Sequence, residues 1–155
     1  MKRIASVLLC LLLLTGCGRK AEVMSHEEDP TTVVPNQIDG VWIELEEDSL
    51  SSSGLNYVIH NENRGQWLTF GEDFSLQVED DGEWYDLIDN PPENFAFPAI
   101  GYELDGDRVT EISRGVSWTL LYGELLPGHY RMLKEMIWTG TVMYPTLALE
   151  FEIEV

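Results

Sequence analysis

The feature that most constrains this chain is a two-residue alternation of apolar and polar side chains that begins at Val41 and recurs to the end of the sequence. Val41, Ile43 and Leu45 alternate with Trp42, Glu44 and Glu46. Leu55, Tyr57 and Ile59 alternate with Asn56, Val58 and His60, and Phe74, Leu76 and Val78 with Ser75, Gln77 and Glu79. Val116, Trp118 and Leu120 alternate with Ser117 and Thr119. Leu147, Leu149, Phe151, Ile153 and Val155 alternate with Ala148, Glu150, Glu152 and Glu154. Successive side chains of a strand point to opposite faces, so this pattern puts one face in a core and the other in water. No segment carries a convincing helical period; Glu111 to Arg114 has room for one short turn at most.

Turn residues fall between these runs. Asn61 to Gly65 separates two of them, Gly71-Glu72-Asp73 another two, and Asp105-Gly106 marks a further turn. Asp81-Gly82 joins Phe74–Glu79 to Glu83–Leu87, and Asp-Gly is a strong two-residue hairpin signal. Pro91, Pro92 and Pro98 make Asp89 to Gly101 a loop, because proline cannot donate to a central ladder. Short strands at this spacing predict an all-β fold, a β-sandwich of about seven to nine antiparallel strands.

Ahead of the alternating region lies a different kind of sequence. Met1-Lys2-Arg3 is followed by an apolar run from Ile4 to Leu14 and then by Leu14-Thr15-Gly16-Cys17. The run suits a signal-peptide core and falls short of the roughly 20 apolar residues that a spanning helix needs. The four residues ending at Cys17 resemble the lipobox of bacterial lipoprotein signals. That resemblance implies cleavage before Cys17, acylation of its sulfur with palmitate-type chains, and a mature protein held on the outer, extracytoplasmic face of a cell membrane. More than one acyl chain makes such an anchor stable, at about 0.8 kcal/mol per buried CH₂. The expected organisation is residues 1–16 as signal peptide, 17–37 as lipidated cysteine and flexible tether, and 38–155 as the folded domain. The tether reading rests on His26, Glu27, Glu28, Asp29, Pro30 and Pro35 and on few large apolar groups.

Removing residues 1–16 takes Lys2 and Arg3 and no acid, so 9 − 2 = 7 basic residues face 28 acidic ones, a net charge of 7 − 28 = −21. Such a surface repels nucleic acid and anionic headgroups. Cys10 lies in the leader and Cys17 carries the lipid, so the domain is expected to fold without a disulfide although its compartment would permit one.

Signals for chemistry are sparse. His26 falls in the tether, His60 ends a strand and His129 sits beside a Pro-Gly turn. There is no Gly-x-Ser-x-Gly elbow and no His-Glu-x-x-His pair, so no catalytic residue and no cofactor is assigned. Calcium wants six to eight oxygens from a shaped loop. Asp80, Asp81 and Glu83 are the weak candidates for a divalent cation, and solvated charge is their plainer reading. Trp118 shares parity with core residues, Trp42 opposes the apolar face of its strand, and Trp138 is placed at a loop.

Leu126-Pro127-Gly128-His129-Tyr130-Arg131 leads from a Pro-Gly turn into a strand. Sandwich domains often place a tyrosine here with its hydroxyl bonded to the preceding connection, which makes Tyr130 a candidate tyrosine corner. Together with the Asn61 turn, Phe74-Ser75-Leu76-Gln77, Gly82-Glu83-Trp84 and Glu150-Phe151-Glu152-Ile153, this stretch resembles bacterial immunoglobulin-like domains. The resemblance implies a sandwich and a non-catalytic module, expected to serve as an accessory binding protein of the cell envelope with an unidentified envelope partner. Two rival expectations are a solute-binding lipoprotein with a lipocalin-like β-barrel pocket, and an envelope hydrolase or its inhibitor.

Overall fold

The computed structural model describes residues 24–154; the leader, Cys17 and residues 18–23 of the expected tether lie outside the described residues. Nine strands and one short helix follow in order: β1 (Val41–Leu45), β2 (Gly54–Asn61), β3 (Leu68–Phe70), β4 (Ser75–Asp80), β5 (Glu83–Asp86), β6 (Tyr102–Leu104), β7 (Glu111–Ser117), α1 (Thr119–Tyr122), β8 (Gly128–Trp138) and β9 (Thr146–Ile153). They form two antiparallel sheets. One has the order β1-β2-β7; the other runs β5-β4-β8-β3-β6, with β9 also paired to β8. This is a β-sandwich, so the single closed barrel of the lipocalin-like rival does not form: the space between the sheets is filled by Leu55, Tyr57 and Ile59 from one and Leu76, Val78, Tyr130, Met132 and Phe151 from the other.

The local chemistry follows the sequence closely at the β4–β5 hairpin. Asp81 and Gly82 both have positive φ, 51° and 84°, the backbone of a type I′ turn that matches strand twist. Trp118 is fully buried, stacked on Phe151 at 5.4 Å, and its Nε1 donates to the Ser52 carbonyl oxygen at 2.7 Å. Tyr130 is buried, and its hydroxyl donates to the Leu126 carbonyl oxygen at 2.8 Å.

Three expectations need correction. Glu111 to Arg114 is no helical turn but the first half of β7, in register with His60 to Tyr57 of β2. The alternation through Val116, Trp118 and Leu120 crosses an element boundary: the strand ends at Ser117, Trp118 caps α1, Leu121 turns inward and Leu120 is 57% exposed. Trp118 and Leu121, three residues apart, share the inward side of this single turn, and Leu120, which the alternation places with Trp118, falls outside it.

The third concerns residues 24–36, the larger part of the expected tether. They lie against the second sheet. Ser25 accepts from Ile88 N–H, Glu27 and Thr31 donate to Asp86 and Trp84 of β5, and Asn36 exchanges two 2.7 Å bonds with Thr146 of β9. The segment therefore crosses the outer face of the sheet from the β5 edge to the β9 edge. Beneath it the outward-pointing Gln77 and Arg131 are buried, at 0% and 7% exposure, where the alternation predicts a wet face.

Candidate functional site

The strand β8 runs antiparallel first to β4 and then to β3, and the two ladders are out of step. Phe70 pairs with Met136 and Ser75 with Leu133, so residues 71–74 lie opposite only Lys134 and Glu135. This insertion interrupts the ladder, and the carbonyls of Gly71 and Asp73 within it take a side-chain donor in place of a strand partner. Lys134 fills the gap. It is 1% exposed, its Nζ donates to the Gly71 carbonyl oxygen at 2.7 Å and also to that of Asp73, and it sits 5.9 Å from the Tyr57 ring and 5.7 Å from the Phe70 ring. Burial pulls its ammonium pKa down to about 8. The same burial, with Glu72 nearby, pushes the Tyr57 phenol well above its usual range.

Glu72 reaches across from the insertion to the other sheet. Its Oε1 accepts from Tyr102 Oη on β6 and from Arg114 Nη2 on β7 at 2.7 Å. The Arg114 guanidinium lies 4.4 Å over the Tyr102 ring, and its Nε is buried with no partner among the described residues. The Tyr102 bond, helped by Arg114, holds the Glu72 carboxyl below the usual range and holds Tyr102 above its own. Both shifts keep the proton on the phenol and the charge on the carboxylate. No second acceptor bond reaches Glu72 Oε2 among the described residues.

Beside Glu72 a slot of about 180 Å³ opens between the Asp89–Gly101 loop, β7 and α1. The loop is tied down by Asn90 N–H on the Leu121 carbonyl oxygen and by a turn from Pro92 to Phe95. Phe95 and Phe97 pack edge to face at 5.1 Å, and Phe97 meets Phe74 at 5.6 Å. Val116, Leu120 and Leu121 complete the apolar wall, and Glu72 is its one charged group. Long connections without secondary structure in compact domains are functional or linker segments; no role is assigned to this loop from the sequence, and its length is the one feature that points to the site, while the parts played by Glu72, Arg114 and Lys134 depend on strand pairing and have no local signature.

The residues singled out in the sequence lie elsewhere. His60 Nε2 is 2.9 Å from Glu44 and its Nδ1 3.6 Å from Glu111, with the ring stacked on Trp42 at 4.5 Å. His129 is hydrogen-bonded to Glu79 through Nδ1 and has Glu150 at 3.7 Å. Among the described residues neither ring bonds a serine hydroxyl, so no serine–histidine pair is assembled around them. His26 is 3.9 Å from Asp80. Asp80, Asp81 and Glu83 do not converge: among the described residues, no three His, Cys, Asp or Glu side chains are grouped to hold a metal ion. Cys17 lies outside the described residues.

The family model described as a bacterial Ig-like domain matches residues 37–152. No curated protein and no solved structure matches the chain.

Proposed function

We propose that this chain, which belongs to the bacterial Ig-like domain family, is a lipid-anchored interaction module on the extracytoplasmic face of the cell membrane. The family is one of non-catalytic modules, and the sandwich has the organisation of a presenting scaffold, with a filled core and a long connection at one corner. What carries the anchoring half of the reading is the basic start, the short apolar run and Leu14-Thr15-Gly16-Cys17 in that order. Among the described residues no helix is long and apolar enough to cross a membrane. The net charge of −21 on residues 17–155 argues against nucleic acid and anionic lipid headgroups as partners.

The test is metabolic labelling with an alkyne analogue of palmitate, followed by fractionation. The native chain should carry label and sediment with membranes. Cys17→Ser should lose the label and migrate as a larger, unprocessed species. An unlabelled native chain in the cytosolic fraction rules the anchor out. For the absence of catalysis, His60→Ala and His129→Ala should leave cellular phenotypes unchanged.

A further inference from the structure

We infer that the slot under the Asp89–Gly101 loop is a binding site for an aromatic ring with a cationic group beside it. The inference deepens the reading of the domain as an interaction module and is independent of the anchor.

Three observations carry it. The first is size and lining. A cavity of about 150 Å³ walled by apolar side chains accommodates benzene, and this slot offers about 180 Å³ between Phe74, Phe95, Phe97 and Leu121. The three phenylalanines meet edge to face, the arrangement that a fourth ring can extend. The second is charge. Glu72 is the one ionisable group in the wall, its side chain is 21% exposed, and both of its hydrogen bonds fall on Oε1. Oε2 is thus an open acceptor on a carboxylate kept ionised by Arg114 and Tyr102. Arg114 already offsets its charge, so what Oε2 offers an ammonium or guanidinium is a lone acceptor, and preference for a cation rests on that acceptor and the surrounding field. In a chain with 28 acidic residues against 9 basic ones, the surrounding field favours a cation and disfavours an anion. The third is construction. Phe95 and Phe97 are brought to the slot by a loop that holds Pro91, Pro92 and Pro98 and is pinned to α1 through Asn90, so little ordering is left for the ligand to drive.

The ring and its cation belong either to a free aromatic amine or to a phenylalanine beside a lysine in a peptide. The experiment uses the full chain in zwitterionic nanodiscs, with the methyl resonances of Val116, Leu120 and Leu121 as reporters. Four probes are titrated: benzylamine, benzyl alcohol, benzoate and acetyl-Phe-Lys-amide. Benzylamine should bind at least about 5-fold more tightly than benzyl alcohol, and benzoate should give no saturable shift. A peptide tighter than benzylamine assigns the ring to a polypeptide; a weaker one assigns it to a free amine. Phe97→Ala should weaken benzylamine about 10-fold or more. Leu120→Asn, at an exposed position that the fold does not need, should weaken it several-fold. Glu72→Gln should erase the preference for benzylamine over benzyl alcohol. Benzoate binding as well as benzylamine, or no saturable shift from any ring, overturns the inference. Either result leaves the anchoring proposal untouched, because that is read by labelling and fractionation.

Discussion

Two cations are buried on β8, three residues apart and on opposite faces. Lys134 points into the sandwich and Arg131 away from it. Both break the rule that charged side chains are solvated, and they do so for different reasons. Lys134 answers a local need: the insertion between β3 and β4 strands two carbonyls, and an ammonium satisfies them. Arg131 answers a tertiary one. Its Nε donates to Gln77 Oε1 at 2.5 Å and its Nη2 to the Val33 carbonyl oxygen at 3.4 Å, while Gln77 Nε2 donates to Asp86 and to Thr31. Its guanidinium also lies 4.3 Å over the Trp84 ring. Residues 24–36 complete that network: Thr31 and Val33 supply two of its partners, and the segment lies over the rest. Buried polar groups are tolerated when they are bonded; one side of this strand meets that condition with backbone and the other with side chains brought from afar.

The two faces should therefore fail separately. Lys134→Ala removes a large buried side chain and orphans two carbonyls. It should cost about 3–5 kcal/mol in urea unfolding, and Lys134→Met, which keeps the volume, about 1–3 kcal/mol. A loss below about 0.5 kcal/mol for Lys134→Ala would show that the insertion needs no plug. Arg131→Met leaves Gln77 Oε1 without its donor and should cost about 1–3 kcal/mol. Because the two side chains share no partner, the double variant should be additive within about 0.5 kcal/mol. A larger coupling would mean that the faces are one network.

The alkaline pH profile separates them further. In the folded state the Lys134 ammonium titrates at about 8 against the ordinary 10.5. Between those values the unfolded chain holds more protons, so stability rises with pH through that window. The gap between the native chain and Lys134→Met should change there in the native chain's favour, and Arg131→Met should show the native slope. Above pH 10 the sign reverses for the phenols. Tyr130 is pushed up to about 12 by burial and Tyr57 higher still, so the folded state keeps protons that the unfolded chain has lost, and stability falls as pH rises. A profile flat from pH 8 to 10 in the native chain and in Lys134→Met alike would contradict the buried-ammonium account. The smallest effect is expected from Thr31→Val, which removes one bond to Gln77 and should cost about 0.5–1.5 kcal/mol.

The strands were legible because burial on one face writes itself into the sequence with period two, and Asp81-Gly82 and the prolines of the 89–101 loop fix their own backbone. What was not legible is what depends on a second segment. Gln77 in a clean alternation reads as wet, and only the chain lying over it makes it dry. Residues 24–36 read as a tether because they bring few large apolar groups; they are held instead by backbone hydrogen bonds to β5 and β9, which composition does not register. Glu72 sits in a turn by sequence, and becomes a link between sheets only through the unequal pairing of β3 and β4 with β8. Trp118 was recognisable as core from its parity, yet Leu120, in the same pattern, faces solvent because one helical turn replaces the strand after Ser117.

The claim that residues 24–36 belong to the folded body is tested most directly by amide hydrogen exchange at Glu27, Thr31 and Asn36, whose N–H groups donate to Asp86, Trp84 and Thr146. Exchange slowed at least about 100-fold relative to an unstructured peptide, and accelerated at Thr31 by Arg131→Met but not by Lys134→Met at matched stability, is the result expected of a segment that seals the outer face. Exchange at free-peptide rates at all three positions would contradict it and return the segment to a tether.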